Sequence, residues 1–225
     1  VLPALQVEKH VVDVDIVADR GDALFRTPDM SATAVHKEKR RSAGARAAKV
    51  AEIVAREPHE PWLIWCETDY EEDALREVLP AAAIINGKDA LESKERLVAE
   101  FVAGTARVMI SKGSILGFGL NFQHCARQAL VGPTFSYERF HQQVKRSHRF
   151  GQQRDVRVHV VMAQTEVGVW NILMRKADDH EVMAREMAAA TRRAVVRVDD
   201  RAAAYEPTGR YALAPWVRAQ PENDR

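Results

Sequence analysis

Trp62-Leu63-Ile64-Trp65-Cys66 is an unbroken apolar run, the pattern of a strand buried on both faces. Asp69, with Glu72 three residues later, follows as a capping-box signature, and the helix it opens carries Ala74, Leu75, Val78 and Leu79 inward. The same unit recurs downstream. Ala83-Ile84-Ile85 is a second strand closed by Asn86-Gly87, and Asp89 with Glu92 repeats the cap before a helix that buries Leu97 and Phe101. Val108-Met109-Ile110 and Gln128-Ala129-Leu130-Val131 are the third and fourth strands, Ser136 opens another helix, and Val156 to Met162 is the fifth strand. A final long helix is predicted from Glu166 to Ala189. Short apolar strands alternating with helices predict an α/β fold with a doubly wound parallel sheet. Ligands in such sheets bind beyond the carboxyl ends of the strands, so the loops after Cys66, Ile85, Ile110, Val131 and Met162 are where chemistry is expected.

Around this regular part, residues 1–57 are expected as a connecting segment, 58–190 as the α/β domain, and 191–225 as a loosely structured tail or linker rich in Arg and Ala. The connecting segment has a strand-like run from Lys9 to Val17, in which Val12, Val14 and Ile16 alternate with Asp13 and Asp15. A loop follows at Thr27-Pro28-Asp29, then a basic helix with Ala43, Ala47, Val50 and Val54 on one face, closed by Pro58 and Pro61. The chain begins Val1-Leu2-Pro3, without an initiator Met, and is expected to be a piece of something longer.

The 225 residues are 46% hydrophobic and 29% charged, a globular composition. Lys+Arg is 33 and Asp+Glu 32, so the formal net charge of +1 excludes a histone-like polycation; nucleic-acid contact would need local patches. Two patches exist. Lys37 to Lys49 holds six positive residues against Glu38, and Arg139 to Arg157 holds six against Asp155, each a local net of +5. The first either touches nucleic acid or is a solvated helix start. No apolar run approaches the ~20 residues of a membrane helix, and there is no signal-peptide pattern. Two cysteines, Cys66 and Cys125, are too few for a disulfide scaffold and suit a reducing cytosol. Trp65 and Cys66 are expected in the core, His124 beside Cys125 lacks further metal ligands at suitable spacing, and His10, His59 and His180 are expected at the surface.

Two loops stand out. After the third strand comes Ser111-Lys112-Gly113-Ser114-Ile115-Leu116-Gly117-Phe118-Gly119-Leu120-Asn121-Phe122, whose glycines let backbone approach a ligand and whose Ser111 and Lys112 suit a phosphate backbone. A packing turn is the plain alternative. The helix from Ser136 to Arg149, followed by Phe150-Gly151-Gln152, buries Tyr137, Phe140 and Val144. It places Gln142, Arg146 and Arg149 on a separate stripe that suits a triphosphate, because guanidinium binds phosphate oxygens bidentately and stays charged. A solvated basic face is the alternative there.

Gln142-x-x-x-Arg146-x-His148-Arg149-x-Gly151-Gln152 resembles the last signature motif of superfamily-two (DEAD/DEAH-type) helicases and translocases, most closely the Q-A-x-x-R-x-H-R-x-G-Q of the Swi/Snf-like branch. Gly117-Phe118-Gly119-Leu120-Asn121-Phe122 resembles the G-L-G-I-N-L motif before it, and the combination looks most like helicases of phages and prophages. The similarity covers about residues 58–185. It implies a RecA-like C-terminal lobe, a P-loop NTPase-like fold without its own P-loop. ATP with Mg²⁺ would sit between this lobe and an N-terminal RecA-like lobe that holds the metal ligands. Arg149, as arginine finger, and Arg146 would reach the γ-phosphate, where such a residue stabilises charge in the transition state. Gln142 would contact the phosphates or the opposite lobe, and Gly117 and Gly119 would line the nucleotide site. Ser111, Lys112 and Gly113, with the turn Asn86-Gly87-Lys88, would hold nucleic acid, DNA first and RNA as the alternative. The implied location is cytoplasmic, that of the bacterial host if phage-encoded, with no membrane partner.

The departures are specific. There is no G-x-x-x-x-G-K-[ST] and no D-E-x-H-like box, so this chain alone is not expected to hydrolyse ATP. Gln143 and Lys145 stand where the branch more often has Ala and an acidic residue, and Lys112-Gly113-Ser114 differs from the usual Ser-Thr-Arg/Lys-Ala run. The sequence therefore leads to the motor lobe of an ATP-dependent DNA helicase or translocase. A stand-alone, non-catalytic nucleic-acid-binding or regulatory module derived from such a lobe is the rival. A different doubly wound nucleotide-binding domain would need a glycine loop after the first strand, where Cys66-Glu67-Thr68-Asp69 stands.

Overall fold

In the computed structural model, residues 2–13, 32–116, 120–134 and 136–199 are described. Six parallel strands form one sheet: β1 (Leu5–Val12), β2 (Trp62–Cys66), β3 (Ala83–Ile85), β4 (Val108–Lys112), β5 (Arg127–Val131) and β6 (Val156–Ala163), in the spatial order β1-β6-β5-β2-β4-β3. The helices are α1 (Ala32–Arg56), α2 (Asp69–Val78), α3 (Leu91–Val102), α4 (Gly113–Leu116), α5 (Tyr137–Val144) and α6 (Val167–Asp199). Val1–Asp178 is one compact unit; of the remainder, Asp179–Arg225, the described residues are the continuation of α6. Among the described residues no helix is long and apolar enough to cross a membrane.

The two-residue period of the strands divides the core in two. Trp62, Ile64 and Cys66 of β2 join Ile110, Ala129 and Val131 under α1 and α2, against Ala47, Val50, Ile53, Val54 and Leu75. Leu63 and Trp65 face the other way and join Met109, Leu130, Val158 and Val160 with Phe101, Phe140, Trp170 and Leu173 of α3, α5 and α6. Every residue of β2 is buried because helices cover both faces, which makes the fold the doubly wound α/β type expected. Trp65 and Cys66 are core, as expected, and the Trp65 Nε1 proton is donated to Gln128 Oε1 at 2.9 Å.

Several boundaries differ from the sequence reading. The first strand is Leu5–Val12 rather than Lys9–Val17, because the Asp155 carboxylate accepts from the Ala4 N–H and starts the register Leu5↔Val156. Val14, Ile16 and the Thr27-Pro28-Asp29 loop lie outside the described residues. Thr68, not Asp69, is the N-cap of α2, and Glu71 rather than Glu72 closes the cap by accepting the Thr68 N–H at 3.1 Å. Asp89 accepts the Asn86 N–H at 2.7 Å, making a turn, and leaves the cap of α3 to Ala90. The last helix continues through Asp199, so residues 191–199 are helical. Residues 1–57, expected as a connector, supply the edge strand β1 and the covering helix α1 inside the compact unit. The basic run of α1 is partly internal: Arg46 is fully buried and donates to Glu71 Oε1 and to the Val131 carbonyl, each at 2.7 Å, and Lys39 donates to the Pro133 carbonyl at 3.1 Å.

Candidate functional site

Adjacent strands β2 and β5 send their chains to opposite sides of the sheet, which makes their carboxyl ends the switch point where a doubly wound sheet binds ligands. Two acidic residues, Glu67 and Glu71, follow the end of β2 there. The Glu71 carboxylate accepts the N–H groups of Glu67 at 2.9 Å and of the N-cap Thr68 at 3.1 Å, and is itself fully buried against Arg46. Glu67 in turn accepts from Arg139 Nη1 at 2.6 Å and Gln143 Nε2 at 3.4 Å.

The second feature is the segment from Gln142 to Gln152. Its helix is shorter than the sequence pattern suggests: α5 ends at Val144, and residues 145–151 are successive turns. Gln142, Arg146 and Arg149 therefore do not share a helical stripe. Arg146 is 8% exposed; its Nε donates to the Gln142 carbonyl and its Nη2 to Gln142 Oε1, both at 3.0 Å. Its Nη1 donates to the Leu120 carbonyl at 3.0 Å, and the Arg146 carbonyl accepts the Phe122 N–H at 2.8 Å. Arg149 is exposed. Burial, and then the nearby Arg149 charge, hold the Arg146 guanidinium below its ordinary pKa. Among the described residues no carboxylate pairs with either arginine. The result is a fixed guanidinium beside an exposed one, neither paired with a carboxylate among the described residues. Gly117 and Gly119 lie outside the described residues.

The end of the motif is structural. Gly151 has φ +98, a conformation that favours glycine, and a Cβ there would meet Gln123 Nε2 at 2.6 Å. The Gln123 carboxamide donates to the Phe150 carbonyl, Gln152 Nε2 returns a hydrogen bond to the Gln123 carbonyl at 2.9 Å, and Gln152 Oε1 accepts from the N–H groups of Gln153 and Arg154 at 3.0 Å. His148 Nε2 is hydrogen-bonded to the Pro3 carbonyl at 3.0 Å. The turns that present Arg149 are thus bolted to the loop before β5 and to the entry of β1.

The third group lies at the carboxyl ends of β3 and β4, which the register Ile85↔Ser111 brings together. Ser111 is buried and its hydroxyl donates to the Ile85 carbonyl at 3.0 Å, so its side chain faces the sheet rather than a ligand. Lys112 forms an ion pair with Asp69, which is 89% exposed on its side chain; that hydrogen bond raises the Lys112 pKa and lowers that of Asp69, and the charge of Lys88 lowers Asp69 further. Gly87 and Lys88 are exposed, and the Gly87 carbonyl accepts from Lys94 Nζ at 2.8 Å. Asn86 is held through its own N–H. Gly113 is buried against the Gln143 side chain, whose Cδ would lie 3.1 Å from a Cβ at 113. The two departures from the motif pattern, glycine at 113 and glutamine at 143, are therefore in contact: the longer side chain uses the space that the missing Cβ leaves.

Both thiols are inert by environment. Burial pushes the Cys125 thiol up to about 12 and raises that of Cys66 as well. One grouping had no signal in the sequence. His10, expected at the surface, is half-buried and stacks on His159 with ring centroids 5.2 Å apart, beside Glu8. These residues meet only through the β1–β6 register, 149 positions apart in sequence.

No protein-family model matches the chain, and no curated protein is similar to it in sequence. Its fold is similar to a crystal structure of the C-terminal part of the Fun30 ATPase domain, with TM-score 0.50 and 18% identity over 56% of this chain and 43% of that one. It is also similar to S. cerevisiae Dbp5 bound to RNA and ADP BeF3, with TM-score 0.54 and 13% identity over 77% of this chain and 39% of that one. The chain spans less than half the length of either. At these identities the likeness is one of architecture, a RecA-like α/β fold.

Proposed function

We propose that this chain is the C-terminal motor lobe of an ATP-dependent DNA helicase or translocase of the Swi/Snf-like, phage type, acting in the cytoplasm with an N-terminal RecA-like lobe. The observation that carries this reading is the Arg146–Arg149 pair, one guanidinium locked by Leu120 and Gln142 and the other exposed, with no carboxylate partner among the described residues. A nucleotide triphosphate supplies the missing negative charge. Arg149 acts as the finger on the γ-phosphate, Arg146 sets its position and adds charge, and Gln142 orients Arg146 and meets the phosphates or the opposite lobe. Gly117 and Gly119 line the nucleotide. Mg²⁺ and the attacking water belong to the opposite lobe, because this chain carries neither a G-x-x-x-x-G-K-[ST] loop nor a D-E-x-H-like box.

The nucleic-acid grip is assigned to the ends of β3 and β4. Lys112 and Lys88 flank Asp69, and a phosphate backbone displaces that exposed carboxylate while the backbone N–H groups at 111–113 and the turn Asn86-Gly87-Lys88 complete the contact. Dbp5 is bound to RNA in its structure, so RNA is the competing substrate. The test is ATP turnover by the protein that carries both lobes, measured alone, with duplex DNA, with single-stranded DNA and with RNA. Turnover stimulated by DNA is expected. Absence of turnover with a folded protein supports the non-catalytic module instead, and stimulation by RNA alone reassigns the substrate.

A further inference from the structure

Glu8 and His10 lie two residues apart on one face of the edge strand β1, and the parallel register sets Glu8 directly beside His159 of β6. Three donor atoms converge there. His10 Nε2 lies 3.0 Å from His159 Nδ1, Glu8 Oε2 lies 3.4 Å from His159 Nδ1, and Glu8 Oε2 lies 3.9 Å from His10 Nε2. A tetrahedral zinc with ligand distances of about 2.0–2.2 Å holds its donors about 3.3–3.5 Å apart, and the three separations straddle that range. The His159 side chain is 8% exposed and its ring is wedged between those of His10 and Trp62, at 5.2 and 5.5 Å, so one ligand is fixed before any ion arrives. Glu8, 46% exposed on its side chain, leaves the opposite side open to water.

We propose that Glu8, His10 and His159 form a site for a divalent transition metal of the zinc class, with water completing the coordination, which clamps the edge strand β1 to β6. The neighbouring cations are already engaged: Lys49 and Arg56 pair with Glu52, and Arg127 pairs with Glu57 at 2.7 Å. Burial favours the neutral, ligating form of both imidazoles. Binding moves the proton shared between the two rings to the far nitrogen of its own ring; for His159 that nitrogen, Nε2, is buried without a hydrogen-bond partner, and no redox partner is involved. Two imidazoles and one carboxylate select Zn²⁺ or Co²⁺ over the oxygen-seeking Mg²⁺ and Ca²⁺.

The test is titration of the full chain with Co²⁺, read by the visible absorption of the bound ion, followed by displacement with Zn²⁺ and by thermal melting with and without Zn²⁺. Saturation at one equivalent and a higher Tm with Zn²⁺ are expected. Glu8→Gln and His10→Gln, both on the half-exposed edge, are expected to weaken binding by at least about tenfold while circular dichroism stays unchanged. Absence of a Co²⁺ band with folded wild-type protein overturns the proposal, as does wild-type affinity in both variants. The readout does not involve ATP or nucleic acid, so its outcome is separate from that of the motor assignment.

Discussion

The Arg146 guanidinium donates to the Leu120 carbonyl at 3.0 Å, and the Arg146 carbonyl accepts the Phe122 N–H at 2.8 Å. One residue thus joins two motifs 26 positions apart through side chain and backbone together. Removing the side chain should leave the Leu120 carbonyl and the Gln142 carboxamide without their donor. Arg146→Ala is expected to lower stability by about 1–3 kcal/mol, and Arg146→Lys in the same direction because an ammonium cannot reproduce the fork. Arg149→Ala, at an exposed position, should stay within about 0.5 kcal/mol of wild type. Chemical denaturation of the three variants checks this; equal losses at 146 and 149 would remove the distinction between a positioning and a projecting arginine.

Gly113 and Gln143 should behave as a coupled pair. Gly113→Ala pushes the Gln143 carboxamide out of a buried position and off its bond to Glu67, at about 1 kcal/mol. Gln143→Ala in the Gly113→Ala background should recover most of that loss. Additive effects in the double-mutant cycle would show that the two sites do not share the space.

Gly151 closes the motif with φ +98 against the Gln123 side chain. Gly151→Ala combines backbone strain with a collision and is expected to cost at least about 1 kcal/mol, by loss of Tm. An unchanged Tm would mean that the turn after Arg149 is not fixed by glycine.

His124 gives a pH signature. It packs edge-on against Phe101 at 4.9 Å between ring centroids, and burial holds its pKa below the ordinary 6.5; a backbone hydrogen bond with Phe101 opposes this, and the Arg154 charge adds to it. The unfolded chain binds the proton more readily, so the stability from this residue is complete above pH 6.5 and declines as pH falls below it. Melting at pH 7.5 and 5.5 should show a drop in Tm that shrinks in His124→Gln. A drop of the same size in the variant would assign the effect elsewhere.

The central strands were legible in the sequence because parallel strands covered on both faces read as continuous apolar runs, as Trp62–Cys66 does. The edge strand β1 was misplaced by several residues, since Leu5, Val7 and Val11 remain exposed and carry only a weak pattern. The motif residues were legible as a set, but their geometry was not. A helical period extrapolated through Arg149 fails at Val144, where the chain breaks into turns fastened by Gln123 and Gln152. The Gly113–Gln143 and His10–His159 contacts depend on tertiary register, which no local spacing encodes.

The central claim is that Arg149 works on the γ-phosphate of ATP held by an opposite lobe, and the most direct measurement is single-turnover ATP hydrolysis by Arg149→Ala in the protein with both lobes. Because a finger acts mainly in the transition state, ATP affinity should remain within a few-fold of wild type while the hydrolysis rate falls by about 10³ or more. Hydrolysis at close to the wild-type rate, with the variant folded, would contradict the assignment.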